Sequence, residues 1–362
     1  MNPPRFVLDL EAVRHNAAAW RARLADRELW AVVKSDAYGC GALEVARASL
    51  AGGAARLVVF DVAEAQRLRT AGIRAPIVQV FAARGDDLHT AVFLGVTPTV
   101  EDEASVRAVA ALGDWRGRRI AVHVAVDSGT GWSGVPAVRA YEFARSVSGL
   151  SGITWEGAWT HIAGRESMDG QMRAFAGAVA ALRAEGLGVP VVHIASTGPV
   201  LWGRATGAAR IGIGLFGATL SASGEAPALR HAVDVRATVV AVKTFDAATP
   251  LGYGGESVAE QGETIATLRI GYADGLPKSL SAGGAIRIGE ARCAIAGAIG
   301  MNTTMVRVPA DAHVSQGDEA IVIGAMPGTT LDEVAAAAAT VPHQLLCSLA
   351  RGMGVRRIGL PA

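Results

Sequence analysis

The chain predicts an α/β fold in two parts, an N-terminal (β/α)8 barrel of the TIM type followed by a mainly-β C-terminal domain. Three observations carry that expectation. The first two-thirds alternates short β-branched runs with longer Ala/Leu/Arg/Glu segments whose apolar residues recur at i, i+3 and i+4. Eight such strand–helix units within about 220 residues suit a closed barrel better than an open sheet. From about His231 the pattern changes to successive strands separated by Gly-rich turns.

The expected barrel strands are Leu29–Lys34, Leu57–Phe60, Ile77–Val80, Val96–Val100, Arg119–Val126, Thr154–His161, Val191–Ser196 and Arg210–Ile213. Helical patterns lie between them, among them Glu11–Ala25, Ala42–Ala51, Val62–Ala71, Asp102–Leu112, Pro136–Val147 and Met168–Ala184. The second part is expected to contain strands at Val233–Thr244, Glu263–Ile270, Ala285–Ile288, Arg292–Ala296, Met305–Val308 and Glu319–Ile323, with one short helix at Leu331–Ala339. This divides the chain into a barrel domain, 1–232, and a β domain, 233–362, with the first few residues free to pack against the latter. Pro250, Gly252, Gly254 and Gly255 mark a loop within the β domain.

Composition excludes several classes. Hydrophobic residues are 51% and charged residues 19% of the chain, so it can bury a large core and does not read as disordered. With 34 basic and 33 acidic residues and no long basic run, it offers no surface for nucleic acid. No apolar run reaches the length of a membrane span, and the N-terminus lacks a signal-peptide pattern. Three widely spaced cysteines, Cys40, Cys293 and Cys347, suggest neither a disulfide framework nor a metal site, and the expected compartment is the cytoplasm.

Active sites of such barrels gather at the C-terminal ends of the strands. The polar residues at those ends are Lys34, His161, Ser196, Thr197 and Arg210. Lys34 follows the apolar run Ala31-Val32-Val33, so its ammonium should be partly desolvated and its pKa lowered, as an imine-forming amine requires. An isolated lysine in that position would be read simply as a solvated strand end.

Lys34 is not isolated. The run Ala31-Val32-Val33-Lys34-Ser35-Asp36-Ala37-Tyr38-Gly39 closely resembles the cofactor-lysine signature of the alanine racemase family, the pyridoxal-phosphate amino-acid racemases of fold type III. The likeness continues in register along nearly the whole chain, through Leu8-Asp9-Leu10 with Arg14-His15-Asn16, Thr160-His161, Arg210-Ile211-Gly212-Ile213 and Gly217. Beyond the barrel come Gly252-Tyr253-Gly254, Ile270-Gly271-Tyr272-Ala273-Asp274-Gly275, and Gly297 through Met301.

The resemblance implies pyridoxal 5'-phosphate as cofactor and racemisation of an amino acid as the reaction. Pyridoxal phosphate is an electron sink for the carbanion left at Cα, and an acid/base is needed on each of its faces. The family places a lysine on one face and a tyrosine on the other, here Lys34 and Tyr253. An unperturbed phenol titrates near ~10, and the residues implied to ease its ionisation are His161 and Arg210. Arg210 is also implied at the pyridine nitrogen, where a group that keeps its proton limits transamination. Tyr38, Thr197 and the amides of Gly212 and Ile213 are implied phosphate ligands, with Thr197 standing where the family usually has serine. Tyr272 and Asp274 are implied supporting residues, and Met301 lies in the implied substrate-pocket loop. The implied assembly is a homodimer with shared active sites.

The pattern breaks in places. Within Val124-Ala125-Val126-Asp127-Ser128-Gly129-Thr130-Gly131-Trp132, Ala125 replaces a lysine that many members carry. Trp132 replaces an arginine that contacts the substrate carboxylate. Asn302 replaces an aspartate, and Arg351 falls near a tyrosine at the phosphate and substrate entry. The proton-transfer residues therefore survive while carboxylate recognition changes. Trp132 stacks on a larger side chain, narrows the pocket, or is buried packing, with another cation such as Arg351 in that last case taking the carboxylate. Two other classes stay open beside a racemase: a decarboxylase, aldolase or dehydratase of the same fold, and a cofactor-binding protein without catalysis.

Overall fold

A computed structural model describes residues 2–204, 206–220, 226–255 and 257–359. Among them, parallel strands close a barrel in the order Leu29–Val32, Arg56–Val59, Ile77–Gln79, Val96–Thr97 with Thr99–Val100, Ile120–Asp127, Ile153–Trp159, Val191–His193 and Ala209–Ile211. Trp30 lies beside Arg56, Leu57 beside Ile77, and Ile77 beside Val96. Ala209 beside Leu29 closes the other side. The last two strands meet through single bridges, His193–Gly207 and Ser196–Arg210.

The fourth strand differs from its expected form. It divides at Pro98, so that Val96–Thr97 pairs with the third strand and Thr99–Val100 with the fifth. Proline has no N–H for the ladder, but its carbonyl accepts from the His123 amide at 3.1 Å. One bent strand thus serves two neighbours.

Helices flank the barrel, and their starts are written in the sequence. Asp9 accepts from the amides of Glu11 and Ala12 to cap Leu10–Arg23. Asp61 caps Val62–Thr70, and Asp102 with Ser105 forms a capping box on Glu103–Trp115. The barrel interior is unusual in chemistry: apolar Trp30, Val58, Val78 and Ala208 share it with buried His123, His193 and Arg210.

The β part is a ring. Thr264–Leu268, Thr304–Val308, Ala291–Ile295, Ala285–Ile288, Glu319–Ile323 and Val233–Thr244 follow one another, and the first pairs back onto the last. The long strand Val233–Thr244 makes this closure possible, since its first half pairs with Glu319–Ile323 and its second with Thr264–Leu268. Arg5–Asp9 adds to the same sheet, antiparallel to Val233–Thr244 and parallel to Val355–Ile358.

The single helix expected here is instead two, Leu331–Ala337 and Pro342–Met353. Proline at the first position starts the second helix, and Leu345, Leu346, Leu349 and Ala350 bury one face. This helix packs against the segment Lys34–Tyr38, so the β part reaches the barrel mouth of its own chain. No helix of the described residues is long and apolar enough to cross a membrane.

Candidate active site

The first barrel strand ends in an uncommon backbone. Ser35, Asp36, Ala37 and Tyr38 all take left-handed conformations, with φ of 54°, 54°, 50° and 61°. Each costs an L-residue roughly 1–2 kcal/mol, so surrounding bonds must hold the turn. Gly39 donates to the Ser35 carbonyl at 2.9 Å and Gly41 to that of Asp36 at 2.9 Å. The Asp36 carboxylate accepts from Ala42 at 2.8 Å, tying the turn to helix Ala42–Ala51. Buried Glu64 accepts from the Ser35 amide and, at 2.8 Å, from Phe60. It therefore staples the turn to the end of the second strand.

This turn sets Lys34 and Tyr38 along one cavity of about 580 Å³, lined also by Phe60, Phe81, Trp132, His161, Thr197, Arg210, Gly212, Ile213 and His343. Burial lowers the Lys34 pKa, and the Arg210 charge adds to the effect, while Glu64 and Cys347 oppose it. Burial pushes the Tyr38 phenol up, so it stays a neutral donor. Gly212 is required beside it, because a β-carbon there would lie 2.1 Å from the Tyr38 hydroxyl. The Thr197 hydroxyl accepts from the Gly214 amide at 3.4 Å.

His161 follows the sixth strand and stacks on Trp132, with ring centres 5.4 Å apart and planes 18° apart. Burial, then Arg210, Lys34 and His343, lower its pKa to about 4, so it is neutral at pH 7. Arg210 is buried and its pKa lowered by burial to about 9, which still leaves it charged at neutral pH. It donates to the Thr160 carbonyl at 2.7 Å and to the His193 carbonyl, and it lies over Trp159 at 5.2 Å.

Behind Arg210 runs a chain that sequence reasoning missed. Arg210 Nη1 donates to His193 Nδ1 at 2.8 Å, which leaves the His193 proton on Nε2. That nitrogen is 2.7 Å from His123 Nδ1. His123 Nε2 then lies 3.4 Å from Glu156, and Glu156 pairs with Arg56 at 2.8 Å. Burial lowers the pKa of both histidines. The His123 and Arg56 partners hold Glu156 at about 2, so its carboxylate is charged. The hydrogen bonds run from Arg210 through His193 to His123, and His123 Nε2 faces the Glu156 carboxylate without a hydrogen bond to it.

The structure does not gather every expected residue here. Tyr253 belongs to the turn Tyr253–Gly255 in the β part, and its side chain lies outside the described residues. Tyr272, Asp274, Met301 and Asn302 form a separate cluster there. Tyr272 and Ala273 donate to the carbonyls of Gly300 and Met301 at 3.0 Å, and Asp274 accepts from Gly271 and Arg269. Tyr272 and Met301 are largely exposed. Arg351 lies on a surface cleft with Tyr272 and Cys347 and not among the residues around Lys34, where His343 of the same helix stands instead. Ala125 is buried in the fifth strand.

A closed parallel barrel that delivers a lysine to its C-terminal mouth, joined to a ring of antiparallel strands, is the plan of the barrel-type amino-acid racemases, a class of isomerases. Residues 8–220 match the family model for the alanine racemase N-terminal domain, and residues 232–357 that for the alanine racemase C-terminal domain. The chain belongs to the alanine racemase family. It is 32% identical to an alanine racemase of Cutibacterium acnes over 362 residues, covering 97% of this chain and 96% of that one. An alanine racemase of Desulforamulus reducens is also 32% identical, over 94% of this chain and 95% of its own. Among solved structures, alanine racemase from D-cycloserine-producing Streptomyces lavendulae superposes with a TM-score of 0.89 at 29% identity, over 100% of this chain and 98% of that chain. That of Streptomyces coelicolor A3(2) gives 0.88 at 27%, over 98% of each chain.

Proposed function

We propose that this chain racemises an amino acid by proton transfer at Cα, with pyridoxal 5'-phosphate attached at Lys34. The observation that carries the reading is the half-buried lysine whose pKa is lowered at the mouth of a barrel, beside a charged arginine. The residues present suit the cofactor. Tyr38, Thr197 and the backbone at Gly212 and Ile213 would hold its phosphate, the cradle at Gly212 has no room for a side chain, and Arg210 would face its pyridine nitrogen. When bound, the cofactor supplies an electron sink that makes the Cα proton removable.

The chain's own residues supply the rest. Lys34 takes or returns the Cα proton on one face and Tyr253 on the other. His161 is neutral near pH 7, so it acts on the tyrosine as a hydrogen-bonding group, and the positive charge comes from Arg210. Arg210 keeps its proton and cannot protonate the ring nitrogen, which disfavours transamination. Its bonds to His193 and to backbone carbonyls fix its orientation.

Tyr253, Tyr272, Met301 and Asn302 all belong to the β part, with Asp274 supporting the loop, and Tyr272, Met301 and Asn302 are not among the described residues that line the Lys34 cavity of their own chain. In our reading they complete the site of a second copy, so that a homodimer with shared sites is the active form. We take the boundary of the two domains at residues 232 and 233. Three free cysteines suit the reducing cytoplasm in which we place the protein. Borohydride reduction of the loaded protein followed by peptide mapping should leave a pyridoxyl group on Lys34. Label on another lysine, or none, would sink this reading.

A further inference from the structure

Three large aromatic side chains stand open at the barrel mouth and have no part in the proton transfers above. Phe60 directly follows the second barrel strand, Phe81 lies just beyond the third, and Trp132 is in the loop after the fifth. All three therefore share the C-terminal rim, and all three line the cavity that contains Lys34. In the single chain they are 41%, 46% and 77% exposed, at the mouth where the second copy proposed above also approaches. Phe60 and Phe81 stack with centres 4.9 Å apart and planes 18° apart, and Trp132 lies flat on His161. Stacked rings of this kind keep a free face for a further apolar group. Exposed apolar clusters at a concave site mark something that covers them.

Charge narrows what that is. With Lys34 taken up by the cofactor, the cation that remains beside the cavity is Arg210, and no Asp or Glu lines it among the described residues. A basic side chain would meet like charge with no carboxylate to offset it. Arg210 is already committed to His193 and to the carbonyls of Thr160 and His193. An acidic side chain at the rim would be desolvated against Phe60 and Phe81 without a partner.

We propose that the amino acid taken by this site carries a large, uncharged aromatic side chain seated against Phe60, Phe81 and Trp132. The proposal rests on the racemase reading of the Lys34 site. Trp132 then has a use in place of the arginine it replaces, since its ring helps to anchor the substrate through the side chain. Discrimination by apolar pockets runs at roughly 10–200-fold for a single methylene. A whole ring should therefore favour phenylalanine or tryptophan over alanine by about tenfold or more in kcat/KM.

The test is Cα–deuterium exchange, followed by NMR, on the holoenzyme with alanine, leucine, phenylalanine, tryptophan, aspartate and lysine. Phenylalanine or tryptophan should lead, with aspartate and lysine last. Phe81→Ala and Trp132→Ala should each cut the phenylalanine-to-alanine ratio about tenfold, while Phe81→Leu keeps most of it. Trp132→Ala, in an exposed loop, serves if Phe81→Ala does not fold. Alanine as the best substrate overturns the aromatic class and leaves the racemase intact. Exchange with no amino acid overturns the racemase reading and this proposal with it. Variants that keep the ratio but weaken self-association in sedimentation would assign the aromatic rim to a second copy and overturn the proposal.

Discussion

Gly212 sets the tolerance of the pocket at the scale of one atom. The space for its β-carbon is already taken by the Tyr38 hydroxyl. Gly212→Ala is expected to displace that phenol and weaken pyridoxal phosphate binding by roughly tenfold or more, the loss of about one hydrogen bond to a charged group. Absorbance titration of the apoprotein measures it. The Arg210–His193–His123–Glu156 chain works at the same scale but left no trace in the sequence. Each histidine sits on a strand among apolar neighbours, where a lone histidine has no local signature. Only barrel closure turns residues 70 positions apart into a pair of rings. Glu156→Gln would leave Arg56 with Glu28 alone, at 3.6 Å. We expect a loss of about 1–3 kcal/mol in urea unfolding, and a slower turnover if the orientation of Arg210 depends on the chain.

Among the elements, the left-handed turn after Lys34 departs furthest from what propensity would choose. Its residues were legible as a signature, since Lys34, Tyr38 and Gly39 stand in register, but its handedness was not. Four left-handed residues without glycine follow from tertiary bonds to Glu64 and to helix Ala42–Ala51, which no local pattern encodes. Ser35 gives a clean test because its side chain is exposed. Ser35→Val should cost about 1–2 kcal/mol, as a β-branched residue resists this conformation. Ser35→Gly should cost nothing, although glycine inside an ordinary helix loses up to about 1 kcal/mol. Denaturant midpoints of the two variants against the parent decide the matter. Elsewhere, strand and helix periods located most elements, while helix Pro342–Met353, which ends at Gly354, was not anticipated.

For the molecule as a whole, buried histidines set an acid limit. Burial lowers the pKa of His123, His161, His193, His231 and His343. The unfolded chain takes up protons near pH ~6.5 that the folded chain refuses, so stability is full above that pH and falls as acid is added. For His161 the window extends down to about pH 4. Its share of the loss at pH 5 is about 1–2 kcal/mol, visible as a lower urea midpoint than at pH 7, with little change from 7 to 8. The proposed shared sites make a second prediction at this scale. Mixing Lys34→Ala and Tyr253→Phe subunits should restore activity in hybrids, and verified heterodimers without any rescue would exclude the shared arrangement. A last consequence follows from the pairing of Arg5–Asp9. Arg5–Asp9 lies between Val233–Thr244 and Val355–Ile358, so this strand finds both its neighbours only after the whole barrel has been made. Phe6 and Leu8, fully enclosed at the end, stay uncovered while the barrel is being made. A growing chain therefore keeps an unpaired apolar strand in waiting until residues 355–358 have emerged.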